Sequence, residues 1–188
     1  MKSVIIVGGG IIGLFTAYEL HNAGCKVTLI DRQRFGMESS WAGGGILSPL
    51  YPWRYPEAIT QLTRLSQRLY PEIIAPMIQQ TGRDPEHLPS GMLVLGNYDS
   101  EKPLHWALKH QIAMESIDQS RIQKLAPEVN TEFEQGLWLP NIYQIRNPRL
   151  LSLLKSHLQT TSVTLIENHA VEGLVIEQDS VIGVNTAD

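Results

Sequence analysis

The stretch "SVIIVG" is an unbroken apolar run of β-branched residues, Val4 to Val7, closed by glycine. That pattern predicts a strand buried on both faces of a parallel sheet. The period then changes. Ile11, Leu14, Phe15, Ala17, Tyr18 and Leu20 follow helical spacing as far as Ala23, and Gly24 is placed to cap the end. "KVTLID" predicts a second strand, so the first 31 residues form a β-α-β unit of the size expected for a right-handed parallel crossover.

The segment "RQRFGMESSWAGGGILSPLYPW" has neither period and is rich in glycine, serine and aromatics, which predicts a functional loop. Helical spacing returns from Pro56 to about Gln80, with Leu62, Leu65 and Leu69 on one stripe and Pro71 and Pro76 forcing a break or kink. "TGRDPEHLPSG" reads as a turn-rich connection. Short strands then alternate with helix: "GMLVLG" (Gly91–Gly96), a helix near Lys102–Met114, another near Ser120–Leu125, and "GLWLP" (Gly136–Pro140). "RNPRLLSLLKSHLQ" restarts a helix with Asn147 as N-cap and Pro148 in the first helical position. "VTLIEN" predicts a strand, and "AVEGLVIEQDSVIGVNTAD" a hairpin turning around Gln178–Ser180. The fold class is α/β, with a Rossmann-type β-α-β start and an α+β block inserted at 84–146 between segments 1–83 and 147–188.

Composition narrows the functional classes. At 43% hydrophobic and 18% charged, the 188 residues match a globular protein with a sizeable core. A net charge of -4 and the lack of any basic run argue against nucleic acid as a partner. No continuous apolar run reaches the roughly 18 residues of a transmembrane helix. Lys2 followed by apolar residues gives the N-terminus some likeness to a secretion signal, but three glycines interrupt it and Glu19 and His21 follow. The single cysteine, Cys25, excludes an intramolecular disulfide and reads as a packed thiol in a reducing, cytoplasmic setting. A homo-oligomer is compatible with this composition.

The chemistry lies in the glycines. Gly8, Gly10 and Gly13 have the G-x-G-x-x-G spacing: the first for the tight turn, the second for close approach of a pyrophosphate, the third for helix–strand packing. The helix amino end adds unsatisfied N–H groups and partial positive charge. Asp31, at the end of the second strand, stands where a carboxylate accepts hydrogen bonds from an adenosine ribose. The fingerprint alone leaves FAD and NAD open. Arg32 could meet a 2′-phosphate, but Asp31 would repel it, which weighs against NADP. The loop "DRQRFGMESSWAGGGILSP" favours FAD, because a plain nicotinamide dehydrogenase continues from its second strand into a helix.

With "VIIVGGGIIGLFTAYEL", "KVTLIDR", "SSWAGGGILSP", "SGMLVLG", "RNPRLL" and "VEGLVIEQDSVIGV" in this order, the chain resembles the FAD-dependent D-amino acid oxidase family, in its glycine oxidase branch of thiamine biosynthesis. The resemblance covers the whole chain but only the N-terminal part of the family pattern, so the chain is expected to be a portion of a longer protein. It implies that Gly8, Gly10, Ile11, Ile12 and Gly13 surround the pyrophosphate of FAD and that Asp31 and Arg32 meet the adenosine. Ser39 and Ser40 are expected at the phosphate or ribitol, Gly43, Gly44, Gly45 and Ile46 beside the flavin, and Val171 at the adenine. The implied reaction oxidises a small amino acid or amine, with oxygen as acceptor. Sarcosine oxidase, a D-amino acid dehydrogenase, a non-catalytic dinucleotide-binding module and an NAD-dependent dehydrogenase are the alternatives. No catalytic residue and no metal ligand is identified: Arg54, Tyr55, Tyr143 and Arg146 do not match the family's carboxylate-binding position, and Trp41 receives no catalytic role.

Overall fold

Strands β1 (Ser3–Val7) and β2 (Lys26–Ile30) lie parallel and in register, Ser3 opposite Lys26 and Val7 opposite Ile30, joined by helix α1 (Ile11–Asn22). Strand β6 (Thr164–Ile166) pairs parallel on the other side of β2, giving the order β1-β2-β6. These relations come from a computed structural model, which describes residues 2–96, 101–129 and 132–186. The chain divides into two units. The first holds Met1–Gly44, Ile73–Glu86 and Arg146–Asp188, and the second Gly45–Glu72 and His87–Ile145.

The core of the first unit forms where α1 packs on β1 and β2 and against α6 (Asn147–Leu158). Leu14 and Ala17 of α1, Val27, Leu29 and Ile30 of β2, and Leu150, Leu151, Leu153, Leu154 and Leu158 of α6 are all buried. Each buried valine, leucine or isoleucine contributes roughly 1.5–3 kcal/mol by leaving water. β1 departs from the expected two-sided burial. It is the outer strand of the three, and Ile5 and Val7 remain 40% and 57% exposed. The ribbon of β7 (Val171–Glu177) and β8 (Ser180–Thr186) turns at Gln178 and Asp179, both with positive φ, the geometry that matches strand twist in a two-residue hairpin.

In the second unit β3 (Met92–Leu95) and β4 (Glu115–Asp118) flank β5 (Gln135–Leu139), all antiparallel. Met92, Val94, Leu137, Leu139 and Ile142 make its core, with Tyr51 and Trp53 packed against it. β4 was not expected from the sequence, because "ESID" carries one buried apolar residue, Ile117, and otherwise polar ones. Helix α5 (Gln119–Leu125) falls at its expected place, with Asp118 capping it by accepting the Arg121 N–H at 2.8 Å, whereas α4 (Glu101–Lys109) stops five residues short of Met114, before a turn in which Gln111 has positive φ.

Two helix expectations need correction. Helix α3 (Glu57–Thr81) runs through Pro71 and Pro76 as one element, and the division between units falls beside Pro71, after Glu72. The unbroken element overturns the break but not the kink, since each proline removes one N–H and sets its ring against the carbonyl four residues back. The Leu62, Leu65 and Leu69 stripe points outward, at 62%, 45% and 39% exposure, whereas Ile74 and Met77 are buried. Helix α6 starts one residue early, with Arg146 as N-cap. Asn147 does not cap because its side-chain amide lies where a Cβ on Gly43 would be.

Candidate cofactor site

The turn after β1 is drawn together by backbone bonds. Gly8 donates to the Ile30 carbonyl at 2.8 Å with φ +106°, a conformation that favours glycine. A Cβ on Gly13 would overlap the Gly8 carbonyl oxygen, so the helix reaches the strand only because Gly13 has no side chain. Gly9, buried between the two motif glycines, is as tightly confined: a Cβ there would overlap the ring of Phe35.

Asp31 closes this turn from the side. Its Oδ2 accepts the Gly9 N–H at 2.6 Å and its Oδ1 the Gln33 N–H at 2.7 Å. Its own backbone is fixed by the segment around β6: Asp31 N–H donates to Ile166 O and His169 N–H to Asp31 O, both at 2.9 Å. Ser40, in the short helix α2 (Ser39–Ala42), accepts the Ile11 N–H at 2.9 Å and so brings the serine loop to the amino end of α1. The next N–H groups, of Ile12 and Gly13, have no partner among the described residues. Two free donors at a helix amino end, bordered by glycine, are the features that hold a phosphate oxygen.

The other expected site residues are placed as follows. Arg32 pairs with Glu38 at 2.6 Å, and both are well exposed; this pairing, the larger influence, and the nearby Asp31 raise the guanidinium pKa. Ser39, Gly43 and Gly44 are exposed, and Ile12 is 78% exposed. Val171 opens β7 opposite Thr186. Gly45 and Ile46 belong to the second unit, where the Gly45 carbonyl accepts the Ile145 N–H at 2.8 Å and Ile46 bridges to Gln144.

Sequence reasoning missed the support beneath the turn. Glu167 Oε1 accepts the Phe35 N–H at 2.7 Å, and both its oxygens accept from Lys155 Nζ at 2.7 Å; Lys155 lies 5.8 Å from the Phe35 ring centre. This pair holds α6, the end of β6 and the ring that fills the space at Gly9. The middle glycine of "GGG", Gly9, was its one sequence signal. Burial pushes the Glu167 carboxyl upward, but the Lys155 bond and the Phe35 N–H outweigh it and hold the pKa below 4.5. A depressed folded pKa means stability present above about pH 4.5 and lost as pH falls through the folded value. Glu167→Gln should therefore lower stability by about 1 kcal/mol at pH 7. Thermal melts across pH should show the two proteins converging toward pH 3, and a constant gap would count against this role.

The glycine turn, the free helix-end donors and the acid after β2 define a dinucleotide-binding fold. The chain belongs to the family of FAD-dependent oxidoreductases called DAO, whose pattern matches residues 3–188. It is 40% identical to the glycine oxidase of Pseudomonas putida over 188 residues, all of this chain and 52% of that protein. It is 28% identical over 197 residues to the bifunctional protein ThiO/ThiG of Trichormus variabilis, covering 98% of this chain and 28% of that one. The crystal structure of glycine oxidase from Bacillus cereus superposes with a TM-score of 0.87 at 24% identity, over 100% of this chain and 52% of that chain. The chain thus spans about half the length of the glycine oxidase that it matches.

Proposed function

We propose that the chain is the N-terminal, FAD-holding portion of an amine oxidoreductase acting on glycine: glycine, oxygen and water give glyoxylate, ammonia and hydrogen peroxide, in support of thiamine thiazole synthesis. The observation that carries this reading is the pair of unpartnered N–H groups, Ile12 and Gly13, at an α1 amino end that Asp31 and Ser40 hold in place. The 40% identity to a glycine oxidase supports the substrate. A cytoplasmic setting fits the single free cysteine, Cys25, and no helix among the described residues is long and apolar enough to cross a membrane.

Bound FAD supplies the two-electron acceptor for the α-carbon of the amino acid. The residues of this chain bind and orient. Ile12 and Gly13 donate to the pyrophosphate, while Asp31 keeps lone pairs for ribose hydroxyls beside its two backbone bonds. Gly43, Gly44, Gly45 and Ile46 are proposed to border the flavin, Arg32 the adenosine, Ser39 and Ser40 the phosphate or ribitol, and Val171 the adenine. The segments 1–83 and 147–188 are proposed as the FAD-binding portion and 84–146 as part of a substrate domain.

Purified protein carrying this chain in its natural full length should show flavin absorbance and release peroxide with glycine. Glycine, sarcosine and D-proline tested side by side separate the substrate readings. Tight ADP or NAD binding without flavin would replace the proposal with a non-catalytic nucleotide-binding module.

A further inference from the structure

Within the second unit the ring of His87 lies in a slot between two phenol rings. Tyr143 stacks on it at 4.6 Å between centroids and 16° between planes, and Tyr70, on α3, at 6.3 Å and 12°. The His87 Nε2 is buried and has no hydrogen-bond partner among the described residues. The backbone on both sides of the ring is fixed. Leu88 exchanges both backbone bonds with Gln144, at 3.0 and 2.9 Å, and the Glu86 N–H donates to Asp84 Oδ1 at 2.8 Å. The adjacent carboxylate, of Glu86, is held by Arg146 at 3.3 Å and Arg149 at 3.0 Å. The titratable groups facing the ring are therefore the two phenols, one from α3 and one from the segment paired with Leu88. Burial raises the Tyr70 pKa, so that phenol stays neutral as pH falls.

A neutral imidazole can carry its one proton on Nδ1 and leave Nε2 bare, whereas an imidazolium carries a proton on both nitrogens. In the slot the cation would hold a charged N–H against no acceptor, a larger loss than an unpaired neutral group suffers. The π faces of the phenols attract a cation, but they cover the faces of the imidazole, and the stranded N–H lies at its edge. Burial pushes the His87 pKa below 6.5, and no charged group contributes to the shift. With the backbone anchored at Glu86 and Leu88, the ring regains water only by rotating about its own side-chain bonds. We infer that His87 is a pH-operated latch: neutral, it fills the slot between Tyr70 and Tyr143, and on protonation it swings out to water and uncovers both phenol faces. A base whose folded pKa is depressed contributes stability that is full above about pH 6.5 and lost as pH falls through the folded value. The latch does not rest on the proposed FAD chemistry.

The test is an NMR titration of the full-length protein, isotope-labelled in its histidine and tyrosine rings and its backbone amides, from about pH 8 to about pH 5. The ring signals are assigned with His87→Phe and Tyr143→Leu. The His87 midpoint should lie below 6.5. Nuclear Overhauser contacts between the His87 and Tyr143 rings should be present at the upper pH and vanish with that same midpoint, while the amide signals of β3 and β5 hold their positions. A midpoint at or above 6.5, contacts that persist in the protonated form, or a ring that stays neutral and stacked until acid unfolds the protein would each overturn the inference. Melts give a second readout: the parent should lose thermal midpoint relative to His87→Phe as pH falls over this range, and parallel curves would also overturn it. His157, whose pKa burial and the nearby His21 lower, is common to both proteins and cancels from this difference. Should His87→Phe fail to fold, His87→Gln, likewise uncharged, takes its place.

Discussion

Gly13→Ala should lower the thermal midpoint by about 5–10 °C, because the new methyl group falls on the Gly8 carbonyl oxygen rather than on a side chain that can rotate away. Backbone cannot yield here without cost. Gly8 is tied to Ile30 at 2.8 Å, and α1 cannot retreat as a body because Leu14 and Ala17 are fully buried beneath it. Overpacking of this kind costs about 2–3 kcal/mol, which for a chain of this size corresponds to that shift. The same displacement would move the Ile12 and Gly13 N–H groups, so FAD retention should fall with stability. Gly44→Ala is the matched control: nothing lies within 4 Å of its added Cβ and its φ is not positive, so its melt should stay within a degree or two of the parent. A Gly13→Ala protein melting like the Gly44→Ala one would remove the close strand–helix contact from the account of this turn.

What the sequence made legible was periodicity, and what it hid was which face each period turns to. Leu62, Leu65 and Leu69 do share one side of α3, as their spacing requires, yet that side faces solvent. Spacing relates residues of one helix to each other and carries no information about the neighbour. The same holds for β1, where the apolar run correctly marked a strand but Ile5 and Val7 stay exposed. Burial depends on the elements placed beside it. β4 shows the converse case: a strand stabilised by its pairing with β5 needs little apolar signature of its own.

At the cofactor site, Asp31 was legible because its distance from the glycine motif is fixed by the length of one helix and one strand. Phe35, Lys155 and Glu167 were not, because 132 positions separate Phe35 from the carboxylate that takes its N–H. Contacts at such separation arise from the return of the chain through β6 and α6, and no local pattern announces them. Gly9 illustrates the boundary between the two cases. The spacing rule treats its position as free, whereas the ring of Phe35 depends on its having no side chain.

Asp31→Ala should both destabilise the protein and release FAD, and the two effects can be separated. The buried Gly9 N–H loses its acceptor, which leaves a donor unsatisfied at a cost of about 1–3 kcal/mol; the exposed Gln33 N–H can turn to water and adds little. That part is structural and appears without any ligand. If the remaining lone pairs of the carboxylate receive ribose hydroxyls, each such bond to a charged acceptor is worth about 1.5 kcal/mol, or roughly tenfold in affinity. Asp31→Asn sharpens the comparison. Its amide can keep an oxygen toward Gly9 and preserve most of the turn, yet it lacks the charge and the second acceptor that a ribose diol uses. The expected pattern is a small change in melting for Asp31→Asn with at least tenfold weaker FAD binding, measured by flavin fluorescence on titration, and a larger loss of both for Asp31→Ala. FAD affinity that stays at the parent value in Asp31→Asn would confine this carboxylate to the backbone bonds it makes to Gly9 and Gln33.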